Sequence, residues 1–359
     1  MNLKRTPLYE IHKSLGGKLV EFGGWEMSVQ YSGILDEHNT VRKTVGIFDV
    51  SHMGEVYATG PKAKEFVNNL ITNDVDKIVN GQVLYSPMCY EHGGIVDDLL
   101  VYKFNDEKFL IVINASNVDK DFKWMSEHTL GAEVVNHSPD VAEVALQGPK
   151  AQAALQKITN FDLSSIKYFY FAEIEIAGVK CLVSRTGYTG EDGFEIYFKA
   201  IESEKIWHAI MQAGGEFGIK TCGLGCRDSL RLEAGLMLYG NDITQDVTPL
   251  EAPLKWTVKL DKENFIGKQA LLEKPIKRKL VGFELLERAV PRHGNEVYIS
   301  GQKFDYVTSG IFSPTLQKPI GFAFVPVDLV LGSEIEIKIR DRLIKAKTCS
   351  YRFYKIERK

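Results

Sequence analysis

The sequence predicts an α+β fold of more than one domain that ends in a small all-β module. Three observations predict it. Strand-like and helix-like segments do not alternate in a strict β-α-β rhythm, which disfavours a doubly wound parallel sheet. A strand–turn–helix pattern occurs twice within roughly the first 260 residues. From Lys279 onward the chain is nearly all short strands and turns.

Length and composition set the frame. The 359 residues suffice for two or three domains. A hydrophobic share of 44% and a charged share of 25% are those of a soluble globular chain. The net charge of -3 gives no global attraction to nucleic acid or anionic membranes. No run of 18 apolar residues occurs, so no membrane span is expected. The opening stretch "MNLKRTPLYEIHKSLGGKLV" lacks the apolar core of a secretory signal and reads as part of the fold, with a cytoplasmic location expected. Five cysteines without paired spacing fit a reducing compartment. Cys222 and Cys226 lie four apart, but no matching Cys or His pair is near. They read as small buried thiols, and no metal is expected.

Taken in chain order, "FDVSHMGE" comes first. His52 there can serve as a general base, but a lone histidine in a turn reads better as a structural hydrogen-bonder. "GEVYATGPKAKEFVNNLIT" (54–72) is then echoed by "AEVALQGPKAQAALQKIT" (142–159). Each has an alternating segment, Gly-Pro-Lys-Ala, and a helical period. Proline suits the first turn, where its missing N–H costs nothing. Between the copies, "GGIVDDLLVYKF" and "KFLIVINASN" read as a hairpin closed at Asn105-Asp106-Glu107. Asp97 and Asp98 are adjacent in its first strand, so their side chains point to opposite faces. Asp97 shares a face with Ile95, Leu99 and Val101. Asp98 shares the other with Val96, Leu100 and Tyr102.

Helices are expected at 63–70, 118–128, 204–214 and 227–234, and more antiparallel sheet at "AEIEIAGVKCLVSRT" and "GFEIYFKA". The loop in "SRTGYTGEDGFEIYF" has the spacing G-x-x-G-x-x-G, which is not the dinucleotide fingerprint. It reads either as a glycine-rich turn or as backbone that approaches a flat ligand. Glu195, just after it, is a two-pronged acceptor suited to a ring edge that presents an N–H beside an amino group. In "CGLGCRDSLRLEAG", Gly-Leu-Gly precedes a helix. Arg227, Arg231 and Glu233 read either as a solvated helix face or, for Arg227, as a contact to an anionic or polar ligand. Beyond "LLEKPIKRKL" the segments "LVGFELLE", "EVYISGQKF", "IGFAFVP", "SEIEIKIRD" and "RLIKAKTCSY" read as a β-barrel or sandwich.

The motifs "FGGWEM", "VGIFDVSHMGE", "GGIVDDLLVY", "QGPKAQ", "SRTGYTGEDGFE", "GLGCRDSLRLEAGLMLYGNDI" and "TSGIFSPTL" occur in an order that resembles the T-protein family of the glycine cleavage system, the aminomethyltransferases, over essentially the whole chain. The resemblance implies a three-domain cloverleaf around a central channel for tetrahydrofolate. It places two interleaved folate-binding domains in residues 1–278 and a C-terminal β-barrel in 279–359. It implies transfer of the one-carbon unit of the aminomethyl-lipoyl H-protein to tetrahydrofolate, which gives 5,10-methylenetetrahydrofolate and ammonia. It also implies a functional link to the P- and L-proteins, with no nucleic acid, membrane or metal involved. Carried over by residue, it implies Asp98 as catalytic, by base chemistry or by orientation and electrostatics. It implies Glu195, Arg227, Tyr188, Asn114, Met53 and Tyr85 as folate-binding. A related folate-binding family tied to iron–sulfur maintenance has a cysteine in its equivalent loop. Here that loop is "RTGYTGEDG".

Overall fold

The computed structural model describes residues 3–355. Helices and strands are mixed, and the C-terminal strands close into a barrel, as the sequence predicts. The chain forms two compact units, residues 1–86 with 98–228, and residues 87–97 with 229–359.

The first unit is built on two sheets. One has six strands in the order Phe171–Ile176, Val179–Ser184, Gly193–Lys199, Val141–Gln147, Gly46–Asp49, Lys220–Thr221. Its outer face carries Ile47, Val144, Leu146, Val183, Phe194 and Ile196, packed with Trp207 and Ile210 of the helix Ser203–Gly214. The second sheet has the order Gln82–Cys89, Ile95–Asn105, Lys108–Ile113, Gly54–Thr59, Glu133–Asn136. The tips of its first two strands, 87–89 and 95–97, belong to the second unit. The inner faces of the two sheets meet in one apolar cluster. Tyr102, Leu110 and Val112 come from the five-stranded sheet, and Leu182 and Tyr197 from the six-stranded one.

The sequence echo is a structural echo. In both copies the strand ends at a glycine with positive φ, 96° at Gly60 and 126° at Gly148. Only glycine adopts such angles without strain. In both copies the alanine N–H bonds back to that glycine's carbonyl, at 3.0 Å and 2.9 Å. The lysine before each helix has nearly the same backbone, φ -101° and ψ 2° at Lys62, φ -105° and ψ 3° at Lys150.

In the second unit, the barrel runs from Arg278 to Cys349. It closes in the order Arg278–Leu285, Lys318–Pro326, Gln302–Ser313, Glu296–Ile299, Glu334–Ile339, Arg342–Cys349. Phe283, Val297, Val307, Ile337, Ile344 and Ala346 form its core. The stretch "EVYISGQKF" is two strands, Glu296–Ile299 and the start of Gln302–Ser313, joined by a turn. Ser300 (φ 52°) and Gly301 (φ 75°) are both left-handed, as a two-residue hairpin requires. The solvated-face reading of Arg231 and Glu233 is overturned, because both are buried. Arg231 donates to Asp242 at 2.5 Å and to Ser309 at 2.7 Å. Glu233 accepts from Ser313 and Thr315.

Candidate functional site

Register decides which acids enter the layer between the two sheets. On the five-stranded sheet, Asp98 shares its face with Leu100 and Tyr102, which belong to the inter-sheet cluster. Glu55 stands opposite Val112, so it points the same way. On the other wall, Tyr197 pairs with Glu143, and Glu195 is two residues before Tyr197 on the same face. Four carboxyls from four strands therefore face one interlayer. Asp97, on the opposite face of its strand from Asp98, is fully buried.

Asp98 is half-buried and held on both oxygens. Tyr85 donates its hydroxyl to Oδ2 at 2.9 Å, and Asn114 donates Nδ2 to Oδ1 at 3.0 Å. Asn114 also donates to the Asp98 carbonyl at 3.1 Å. The structure thus brings Asp98, Tyr85 and Asn114 together. Met53 packs on the inter-sheet cluster.

Glu195 accepts a short hydrogen bond, 2.5 Å, from Thr186. Burial raises its carboxyl, while Thr186 and the charge of Arg227 oppose that shift. Arg227 lies with its guanidinium carbon 4.8 Å from the centre of the Tyr188 ring. Its buried Nη1 has no hydrogen-bond partner. A buried guanidinium N–H left open beside a carboxylate suits a polar ligand with an acceptor next to a donor.

The glycine-rich loop is explained by protein packing. A Cβ at Gly187 would lie 2.1 Å from the Gln147 side-chain oxygen, and one at Gly193 would lie 2.4 Å from the Leu146 carbonyl. Gln147 holds the loop from inside, donating to the Thr186 carbonyl at 3.0 Å and accepting from Thr189 at 2.8 Å. Arg185 forks onto Asp192 at 2.8 and 2.6 Å. These glycines let the loop close over an amide, and Thr186 is thereby fixed against Glu195.

Arg227 is set one turn deeper than the sequence suggests. Its helix runs Leu224–Ala234, because the Gly223-Leu224-Gly225 stretch does not stop it. A Cβ at Gly225 would meet Ile34 at 2.5 Å, and one at Gly223 would meet the Val29 backbone at 2.5 Å. Those glycines serve close packing.

His52 departs from the structural reading at one atom, since its buried Nδ1 makes no hydrogen bond. Burial lowers its pKa to about 4, with Asp49 opposing and Arg227 assisting, so the ring is neutral near pH 7. Sequence reading also missed Glu55, Glu143, Ser184, Thr186, Tyr102 and Tyr197. Burial pushes Glu55 and Glu143 well above the usual carboxyl range, and Glu143 is raised further by its acidic neighbours Glu195 and Glu55. The available signal was a charge inside an apolar strand, the same signal that singled out Asp98.

No group of His, Cys, Asp and Glu among the described residues is arranged to hold a metal. No helix among them is long and apolar enough to cross a membrane.

Known proteins resemble the chain over almost its full length. The family model described as the GCVT N-terminal domain matches residues 8–262. The one described as the glycine cleavage T-protein C-terminal barrel domain matches residues 278–355. The aminomethyltransferase of Thermoanaerobacter sp. (strain X514) is 53% identical, covering 99% of this chain and 98% of its own. That of Alkaliphilus oremlandii (strain OhILAs) is 52% identical, covering 98% of each. The crystal structure of glycine cleavage system aminomethyltransferase T from Bartonella henselae superposes with a TM-score of 0.92 at 35% identity, covering 98% of each chain.

Proposed function

The chain belongs to the glycine cleavage T-protein family, and we propose that it transfers the one-carbon unit of an aminomethyl-lipoyl carrier, the H-protein, to tetrahydrofolate. The products are 5,10-methylenetetrahydrofolate and ammonia, in the cytoplasm and in concert with the P- and L-proteins. The observation that carries this reading is a buried Glu195 that faces the same layer as Asp98 and feels the charge of Arg227, whose buried Nη1 makes no hydrogen bond.

In this reading Glu195 accepts the N–H and amino group of the pterin edge, and Arg227 supplies a donor beside it. Tyr188 offers a ring face, and Met53 an apolar wall. Asp98 is the catalytic group. Its carboxylate, oriented by Tyr85 and Asn114, favours the cationic character that develops as ammonia leaves. It also steers the folate ring nitrogen that receives the carbon. Tetrahydrofolate supplies that nucleophilic nitrogen. Residues 1–278 act as the folate-binding region and 279–359 as a separate barrel domain. The closure of the barrel from Arg278 supports that division.

The test is an incubation with tetrahydrofolate and methylamine-loaded, lipoylated carrier, with ammonia and methylenetetrahydrofolate measured. Turnover with carrier and none with free methylated amines is expected. Turnover only with the free amines overturns the reading.

A further inference from the structure

Four buried hydroxyls stand in file behind Glu195. Thr186 donates to its Oε2 at 2.5 Å. Thr186 and Ser184 are 2.6 Å apart, Ser184 and Tyr102 3.1 Å, and Tyr102 and Tyr197 2.8 Å. Register builds the file. Ser184 pairs with Glu195 across adjacent strands, so the two side chains share a face. Tyr197 is two residues further along the Glu195 strand, again on that face. Tyr102 comes from the five-stranded sheet, and its hydroxyl bonds both Ser184 and Tyr197. Among the described residues the Tyr197 hydroxyl bonds only Tyr102, so the file stops there.

The direction of every link follows from the first. Each hydroxyl has one proton to donate. Thr186 gives its proton to Glu195, so Ser184 must donate to Thr186. Tyr102 then donates to Ser184, and Tyr197 to Tyr102. Four protons fill four links, all aimed at Glu195, and bonds aligned head to tail strengthen one another. A proton on Glu195 breaks this count. Donated to Thr186, it reverses every link and leaves the buried Tyr197 proton with no acceptor in the file. Placed on the other oxygen, it adds a buried donor that needs a partner of its own. The surrounding groups act in the same sense or weakly against it. Arg227, stacked on Tyr188, attracts a carboxylate at Glu195. Glu143 is diagonal to Glu195 in the register, and Glu55 acts on Glu143 from the facing sheet. Burial pushes both well above the usual carboxyl range, which lessens their negative charge. His52 is neutral, and Asp98 is engaged by Tyr85 and Asn114.

We propose that Ser184, Tyr102 and Tyr197 are positioning residues which, through Thr186, hold Glu195 as an acceptor-only carboxylate. The site thereby selects a ligand edge with two adjacent donors and rejects one that presents an acceptor. The choice of a pterin edge rests on the folate reading above. The polarity of the file does not.

The test cuts the file one link at a time and follows tetrahydrofolate binding by calorimetry as pH is lowered. Thr186→Val removes the hydroxyl that touches Glu195 and keeps the side-chain shape. The pH at which affinity falls to half should rise by about one unit, since a tenfold change in the Glu195 proton equilibrium moves it that far. Affinity at alkaline pH should stay near native. Thr186→Ser keeps the hydroxyl and should restore the native midpoint. Ser184→Ala, Tyr102→Phe and Tyr197→Phe should raise the midpoint by successively smaller amounts, because each cut lies further from the carboxylate. Affinity that drops evenly at every pH, with the midpoint fixed, means that these hydroxyls only pack the pocket, and it overturns the proposal. The two tyrosine variants keep their rings, so they still decide the matter if a cut nearer Glu195 prevents folding. A ligand-free measurement stands beside this one. Infrared spectroscopy on protein labelled with ¹³C at its glutamate carboxyls should show, at neutral pH, no protonated carboxyl that Glu195→Gln removes. On lowering the pH, that band should appear earlier in Thr186→Val than in the native protein. A Glu195 band in the native protein at neutral pH overturns the proposal. If tetrahydrofolate binds to none of these proteins, the folate reading fails, and the infrared titration still decides the polarity of the file.

Discussion

Replacing Asp98 with asparagine removes one negative charge and little else. In the native site the two carboxylate oxygens accept from Tyr85 at 2.9 Å and from Asn114 at 3.0 Å. An asparagine can keep both links. Its oxygen accepts from Asn114, and its amino group donates to the Tyr85 hydroxyl, which accepts as readily as it donates. The two exchanged hydrogen bonds are neutral or nearly so, and the fold should lose about 1 kcal/mol or less. The chemistry loses much more. A positioned acid, base or counter-charge typically contributes about 10²–10⁴-fold in rate, which corresponds to about 2.7–5.5 kcal/mol of barrier. Asp98→Asn should therefore bind tetrahydrofolate with near-native affinity by calorimetry. Turnover in the carrier assay should fall by about 10²-fold or more. A variant that folds, binds folate and turns over at a near-normal rate would falsify a catalytic role for Asp98.

Glu195→Gln removes a charged hydrogen bond worth about 1.5–3 kcal/mol, so folate affinity should drop about tenfold or more. Unchanged affinity by calorimetry would move the pterin edge elsewhere. Glu55 has its folded pKa raised by burial, so the folded state holds a proton that the unfolded state releases. Stability then declines with rising pH above the unfolded value, by about 1.4 kcal/mol per pH unit. Glu55→Gln should raise the melting temperature at neutral pH and flatten its decline with rising pH above the unfolded carboxyl value, and an unchanged decline sinks the assignment. His52 acts in the opposite sense. With its pKa lowered from 6.5 to about 4, stability is lost as pH falls through that range. His52→Gln should flatten the acid limb of the same melting curve. Gly94→Ala would place a Cβ 1.8 Å from the Gln245 carbonyl. Denaturant melts should show a loss of more than about 2 kcal/mol, and a neutral result would mean that the backbone there gives way freely.

Local pattern was enough to read the hairpin around Asp97 and Asp98, the doubled strand–turn–helix, and most barrel strands. Each depends on neighbours in sequence: alternation, a glycine with positive φ, a two-residue turn. Asp98 was legible for the same reason, because a charge in a strand stands out against its own flanks. The rest of the site depends on register between distant strands. That Glu143 sits opposite Tyr197, or that Thr186 closes on Glu195 because Gln147 supports the loop, has no signature within any one segment. Glycine was the most misleading residue. Those at 187, 193, 223 and 225 suggested ligand approach or a helix boundary, and the structure spends them on contacts with Gln147, Leu146, Val29 and Ile34. Arg231 and Glu233 looked like surface charges because their partners, Asp242, Ser309, Ser313 and Thr315, are distant in sequence.

The doubled segment also has a historical consequence. Glu55 and Glu143 occupy the same place in the two copies, five residues before each repeat glycine, Gly60 and Gly148. Both face one layer, and each has a buried carboxyl oxygen with no hydrogen-bond partner. A duplication that copies one buried acid brings it up against its own twin, and like charges held close cannot both ionise cheaply. Selection on one position is then not independent of the other. Lineages that lose the acid at 55 lift a penalty from 143, and the reverse holds too. Across relatives the two positions should change together more often than their spacing in the chain would suggest.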